Sequence, residues 1–202
     1  MDADHWNRIY ASKAAEELSW TQPAPSFALQ RVAELGLPFT APVLEVGAGE
    51  APFTRALLAL GYTDLTVLDL SATALARAQA LLGPAAGAVR WVEADVTAFA
   101  APQPYQLWYD RATFHFLTDP EASGRYVAAA HAALAPGGYL LVGTFADDGP
   151  ERCSGLAVRR YSAAELAAAF APQFTCLELA HEAHTTPWGA PQPFVFATLQ
   201  RV

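Results

Sequence analysis

From residue 43 onward, short apolar runs alternate with stretches of helical spacing. Val43–Val46 is an apolar run interrupted only by Glu45. Pro52–Leu60 then has helical periodicity, with Pro suited to the first turn and Gly61 to the stop. Leu65–Leu68 is a second run, after which Ser71 is placed to cap a helix over Ala72–Leu82 that Gly83 closes. Val89–Val92 and Tyr105–Tyr109 read as a third and a fourth strand. Glu121–Leu134 reads as a helix ending before Pro136-Gly137-Gly138, and Tyr139–Phe145 as a fifth strand. Ser162-Ala163-Ala164-Glu165 has the form of a capping box opening a helix to about Phe170. Phe174–Ala180 and Phe194–Leu199 close the chain as two strands around a Pro/Gly-rich turn, Pro187–Pro193.

Strand and helix repeated with short connections predict an α/β, doubly wound parallel sheet with helices on both faces. The last two strands have no helix between them, so the seventh is expected to run antiparallel. A chain of 202 residues suits one domain, 1–202. Residues 1–30 read differently, with Trp6, Tyr10, Trp20 and Phe27 set among polar residues, and are expected to form an aromatic lid.

The net charge of −8 removes the cationic field that nucleic acid or an anionic membrane surface requires. No stretch approaches the about 18 apolar residues of a membrane helix. Residues 1–6 are polar and acidic, without the basic region and apolar run of a secretion signal. The two cysteines, Cys153 and Cys176, are too few for a disulfide framework and fit a reducing compartment. The expectation is a cytoplasmic protein, monomeric or weakly dimeric.

The first strand runs into Glu45-Val46-Gly47-Ala48-Gly49-Glu50-Ala51. Glycines there permit a sharp turn and a close approach of backbone N–H groups to a ligand. A dinucleotide fingerprint needs Gly or Ala at position 52, which is Pro, and a P-loop needs a Lys that is absent. What remains, an acid before Gly-x-Gly-x-small, suits a ligand with no pyrophosphate and a zwitterionic tail. Asp69 ends the second run, where it is placed to take two ribose hydroxyls, or simply to cap ahead of Ser71. Asp95 ends the third run and Asp110 the fourth. Four successive strand-like runs thus end in or near an acid on the face where open α/β sheets bind ligands.

In their order, Val43-Leu44-Glu45-Val46-Gly47-Ala48-Gly49, Leu68-Asp69-Leu70-Ser71, Glu93-Ala94-Asp95-Val96, Tyr109-Asp110-Arg111-Ala112 and Leu134-Ala135-Pro136-Gly137-Gly138 resemble the motifs of class I S-adenosylmethionine-dependent methyltransferases. The resemblance implies a Rossmann-like three-layer fold with sheet order 3-2-1-4-5-7-6. It places Glu45, Gly47, Ala48 and Gly49 against the amino acid part of S-adenosylmethionine, Asp69 on the ribose, and Leu70 on the adenine. Asp95 and Val96 fall at the adenine amino group, and Asp110 also falls on the cofactor side. Ala51 departs from the pattern, which often has a third Gly.

The segment His5–Tyr10, Trp20 and the pair Asp110-Arg111 resemble the thiopurine and small-thiol branch of that family, and a set of protein lysine methyltransferases has a similar aromatic start. Trp6 and Tyr10 share one helix face, fit to cover the adenosine or to anchor a helix in the core. A thiolate acceptor needs mainly positioning and exclusion of water, whereas an amine or hydroxyl needs a base. His115, just past the fourth strand, is the candidate base, and Arg111 the candidate cation beside the acceptor. Trp20 and the loop carrying Cys153 complete the expected acceptor site. His181 and His184 have metal-like spacing without a third ligand, so no metal is expected. The leading expectation is methyl transfer to a small-molecule S, N or O nucleophile. The alternatives are a protein lysine methyltransferase and a non-catalytic S-adenosylmethionine sensor.

Overall fold

A computed structural model describes residues 2–22 and 24–202, so residues 1 and 23 of the expected lid lie outside the described residues. Nine strands are described: β1 (Val43–Val46), β2 (Leu65–Asp69), β3 (Val89–Glu93), β4 (Tyr105–Arg111), β5 (Leu134–Phe145), β6 (Arg152–Cys153), β7 (Leu156–Ala157), β8 (Phe174–Thr185) and β9 (Pro191–Arg201). The helices are α1 (Ala3–Ser12), α2 (Ser26–Leu35), α3 (Pro52–Leu60), α4 (Ala72–Leu82), α5 (Pro120–Ala133) and α6 (Ala163–Phe170). Seven strands form one sheet in the order β3-β2-β1-β4-β5-β9-β8, while β6 and β7 make a separate small hairpin. With that hairpin set aside, the order is the expected one. β9 pairs antiparallel with both β5 and β8, and the remaining pairs are parallel.

Strand alternation divides the core into two layers. Tyr105 and Trp108 of β4 face α5 and α6, where Tyr126, Ala130, Leu166 and Phe170 are buried. Leu107 and Tyr109 face the other way, toward Val32 of α2, Phe53 and Leu57 of α3 and Ala78 of α4. β1 and β2 are buried along their whole length, as central parallel strands must be.

Three local differences from the sequence reading have physical causes. The fifth strand begins at Leu134 rather than Tyr139, because the chain passes through Pro136–Gly138 as an irregular, bulged stretch. Gly137 takes φ +74° there, and the register against β4 shifts between Tyr105 and Leu107. The loop expected around Cys153 is the β6–β7 hairpin, turned by Ser154 and Gly155 at positive φ. The terminal hairpin is longer than expected, with Pro191 and Pro193 inside β9 and the turn confined to Thr186–Ala190. Helix α2 crosses residue 30, so the aromatic cover is α1 with the segment 13–22, not the whole of 1–30. Among the described residues, no helix is long and apolar enough to cross a membrane.

Candidate active site

The glycine turn connects β1 to α3 at the carboxyl end of the sheet. Gly47 (φ +58°) and Gly49 (φ +55°) both lie in the left-handed region, and neither has room for a side chain. A Cβ on Gly47 would stand 1.7 Å from Thr113 Oγ1, and one on Gly49 would stand 2.4 Å from Tyr10 Oη. The turn is therefore gripped from below by the β4 end and from above by α1. Ala51, in place of the third Gly, also sits at φ +51° and is buried.

Asp69 ties this turn to the second strand. Its Oδ2 accepts from Gly49 N–H at 2.9 Å and its Oδ1 from Ser71 N–H at 2.8 Å. Burial raises its pKa against these hydrogen bonds. Two N–H donors leave further lone pairs on the carboxylate, and Asp69 lines a cavity. That cavity lies over the ends of β1, β2, β3 and β4, walled by Leu70, Ala94 and Val96 at one end and by Arg111, Phe116 and Cys153 at the other.

Trp6, Tyr10 and Trp20 cover it. Trp6 meets Phe116 edge-on at 5.0 Å and Trp20 at 5.9 Å between ring centres, and Tyr10 meets Trp20 at 6.1 Å. The cover is fastened through the backbone. Arg77 of α4 donates to the carbonyls of Tyr10 and Lys13, each at 2.7 Å, and pairs with Glu50. Asn7 Oδ1 accepts from Ser71 Oγ–H and from Thr73 N–H. Further along, Arg111 Nη1 donates to Trp20 O at 3.1 Å, and His184 Nε2 lies 2.7 Å from Ser19 O. A carbonyl only accepts, so that nitrogen of His184 carries the proton.

A second cavity continues past the other side of the glycine turn. It shares Trp20, Val46, Gly47 and Arg111 with the first and adds Glu45, Ala48, Glu50, Arg55 and Tyr109. Glu45 accepts from Thr54 N–H at 2.7 Å, so it caps α3 as well as lining this space. Burial pushes its pKa up to about 7.

Other sequence candidates fall outside the cavities. Asp110 is buried and spent on structure: it accepts from the N–H groups of Thr113 and Phe114 and from Tyr126 Oη–H at 2.6 Å. Tyr126 in turn accepts from Trp108 Nε1–H. This network fixes the turn after β4 that presents Arg111, Ala112 and Thr113, and leaves no carboxylate for a ligand. Asp95 caps the short helical turn Val96–Ala98 by accepting from Thr97, while its neighbours Ala94 and Val96 reach the cavity.

His115 is fully buried between Phe116 and Phe145 and lines neither cavity. Its Nδ1 accepts from Phe145 N–H at 3.3 Å. Burial, and then the Arg111 charge, pushes its pKa down to about 3. This corrects the expectation of a base, because a neutral imidazole walled in by aromatic rings cannot reach an acceptor. The first cavity does bring Trp20, Arg111 and Cys153 together. Burial pushes the Cys153 thiol up to about 11, so it stays protonated.

Sequence reasoning missed Phe116, Ala112 and Thr113, which follow directly after the recognised Asp110-Arg111, and the latch residues Asn7 and Arg77. The Tyr109–Ala112 motif contained Ala112 and the His5–Tyr10 segment contained Asn7; the others carried no signal. Phe194 was read as a strand residue, yet its ring lies 4.3 Å beneath the Arg111 guanidinium.

An S-adenosine group fits these residues on three counts. A buried carboxylate with spare lone pairs stands at the end of β2, small and apolar side chains flank it, and the glycine turn would be filled by any Cβ. Residues 43–138 match the family described as a methyltransferase domain. No curated protein matches the chain by sequence.

One solved structure, of a protein studied in conversion of a disulfide bond into a thioacetal group during echinomycin biosynthesis, gives a TM-score of 0.79 at 20% identity, over 99% of this chain and 93% of the other. The 1,6-didemethyltoxoflavin-N1-methyltransferase of Burkholderia thailandensis, with bound 1,6-didemethyltoxoflavin and S-adenosylhomocysteine, gives a TM-score of 0.70 at 25% identity over 99% and 84%. The N-methyltransferase NodS of Bradyrhizobium japonicum WM9, in complex with S-adenosylhomocysteine, gives 0.70 at 18% over 98% and 97%. Strand order, cavity and matched segment agree: residues 43–138 match a methyltransferase domain, and the chain has the fold of the solved S-adenosylmethionine-dependent methyltransferases.

Proposed function

We propose that this protein transfers the methyl group of S-adenosylmethionine to a sulfur, nitrogen or oxygen atom of a small molecule. The observation that carries the reading is the covered cavity with Asp69 at one end and Arg111, Phe116 and Cys153 at the other. Asp69 would hold the ribose, Leu70, Ala94 and Val96 the adenine, and Gly47–Gly49 with the second cavity the amino acid end. When bound, S-adenosylmethionine supplies an electrophilic methyl group on a positively charged sulfur.

The chain's own part is placement and dryness. Trp6, Tyr10 and Trp20 close over the site and keep water from the in-line path. Arg111 contributes a fixed positive charge at the acceptor end. Among the described residues that line this end, no titrating side chain stands as a base, since His115 is walled off and Cys153 is held as a thiol. Such a site serves an acceptor that arrives ionised or soft. The aromatic start and Asp110-Arg111 support a likeness to the thiopurine and small-thiol branch. The small molecule named for one solved relative, 1,6-didemethyltoxoflavin, supports a small acceptor over a peptide.

Calorimetry with S-adenosylhomocysteine, followed by a labelled-methyl screen against thiols, metalloid anions, amines and peptides, tests the proposal. Binding together with label on a small molecule is the expected result. No binding, or label on peptides alone, overturns it.

A further inference from the structure

Arg111 has an unusual position for a guanidinium. Its Nε and Nη2 atoms are shut off from solvent and have no hydrogen-bond partner, and Arg111 makes no ion pair among the described residues. Only Nη1 is engaged, with Trp20 O. The plane of charge rests on the Phe194 ring, which favours the cation and fixes its orientation. Glu182 faces it from β8 and Tyr109 from its own strand, yet neither pairs with it.

A buried, unpaired charge with two unmet donors is costly, and a protein retains one where a ligand supplies the missing acceptors. The two free nitrogens are the side-on edge of the guanidinium. Their N–H bonds run parallel and match the two oxygens of a planar anion. Given the methyl-transfer reading above, on which this rests, we propose that this edge of Arg111 is a carboxylate fork that orients the methyl acceptor. The acceptor is then a small carboxylic acid whose nucleophilic atom lies elsewhere in the molecule.

The cofactor's own carboxylate is the rival occupant, and what favours the acceptor is the side to which the guanidinium turns. Phe194 lies on β9, three places beyond β1 in the sheet. Arg111 itself stands on β4, next to β1, and lines both cavities, but its guanidinium lies over Phe194, on the side away from the glycine turn. Next to that turn, the second cavity offers a separate cation, Arg55, and the amino end of α3. The fork instead shares its end of the first cavity with Cys153, Phe116 and Trp20.

The test is calorimetric titration of acetate, benzoate and phenylacetate into the protein saturated with S-adenosylhomocysteine. The wild type is expected to bind at least one of them. Arg111→Met, which keeps a long side chain on Phe194, should weaken that binding 10-fold or more. Arg111→Lys, a point charge without the fork, should fall between them. S-adenosylhomocysteine affinity, measured on every variant, reports whether the fold and cofactor site survive. It is also the separate check on the methyltransferase reading.

Equal carboxylate binding by wild type and Arg111→Met overturns the proposal, as does no carboxylate binding by wild type. A third result also overturns it: a 10-fold loss of S-adenosylhomocysteine affinity in Arg111→Met with unchanged affinity for 5′-methylthioadenosine. That compound lacks the amino acid end, so the difference would assign the fork to the cofactor.

Discussion

Replacing Asp69 with Asn separates the two tasks of its carboxylate. Both oxygens accept backbone N–H bonds, from Gly49 at 2.9 Å and Ser71 at 2.8 Å. The amide keeps the shape but has one acceptor oxygen, so its NH₂ must confront one of those donors. One N–H is then left unmet in a nearly closed environment, at a cost of about 1–3 kcal/mol. In a chain of this size each kcal/mol moves Tm by about 2–4 °C, so a fall of roughly 2–12 °C is expected. Ligand binding should suffer separately. Losing the charged acceptor for a ribose hydroxyl removes about 1.5–3 kcal/mol, or about 10- to 150-fold in affinity. Differential scanning calorimetry reads the first effect and titration with S-adenosylhomocysteine the second. If Asp69→Asn is destabilised but binds S-adenosylhomocysteine like wild type, Asp69 is a structural tie and its ribose role is wrong.

Arg77→Ala removes two bonds to the backbone of the cover and should speed proteolysis within residues 2–25. Bound S-adenosylhomocysteine should restore protection and shift tryptophan fluorescence, and a cover that is cut no faster would show that the latch is unimportant. His115→Gln retains an acceptor for Phe145 N–H and should keep full turnover with the pH profile unchanged; a loss of turnover beyond the loss of folded protein would restore His115 to the mechanism. Asp110 is raised from 3.8 to about 7 by burial. A raised carboxylate pKa contributes stability that is complete below its unfolded value and lost as pH rises through the folded one. Wild-type Tm should therefore decline between about pH 4 and 7, and Asp110→Asn should flatten that decline; an Asp110→Asn slope equal to wild type would mean that Asp110 is ionised throughout.

The sheet was legible because its signals are local. Gly61 and Gly83 mark helix ends by their own conformation, and Ser71 and Ser162 cap by bonds spanning three residues. The ligand-side acids were legible as a set but not one by one. Asp69 and Asp110 both end buried strands. What separates them is Tyr126, a residue of α5 whose hydroxyl claims Asp110 from across the core. His115 misled for the same reason, since the Phe145 ring that completes its enclosure comes from β5, 30 residues further on. Helix α2 was overlooked because Phe27 was grouped with the aromatics before it, although its ring packs on Phe196 of β9.

From Tyr10 to Trp20 the cover is held by its main chain. Arg77, Arg111 and His184 reach the carbonyls of Tyr10, Lys13, Ser19 and Trp20, and a carbonyl is offered by whatever residue stands at that position. Closure and selectivity are thereby uncoupled: side chains between Lys13 and Gln22 can be exchanged to reshape the roof over the acceptor while the clasp stays intact. For a laboratory seeking new acceptors, that short segment is the place to randomise, with the three clasp residues left untouched.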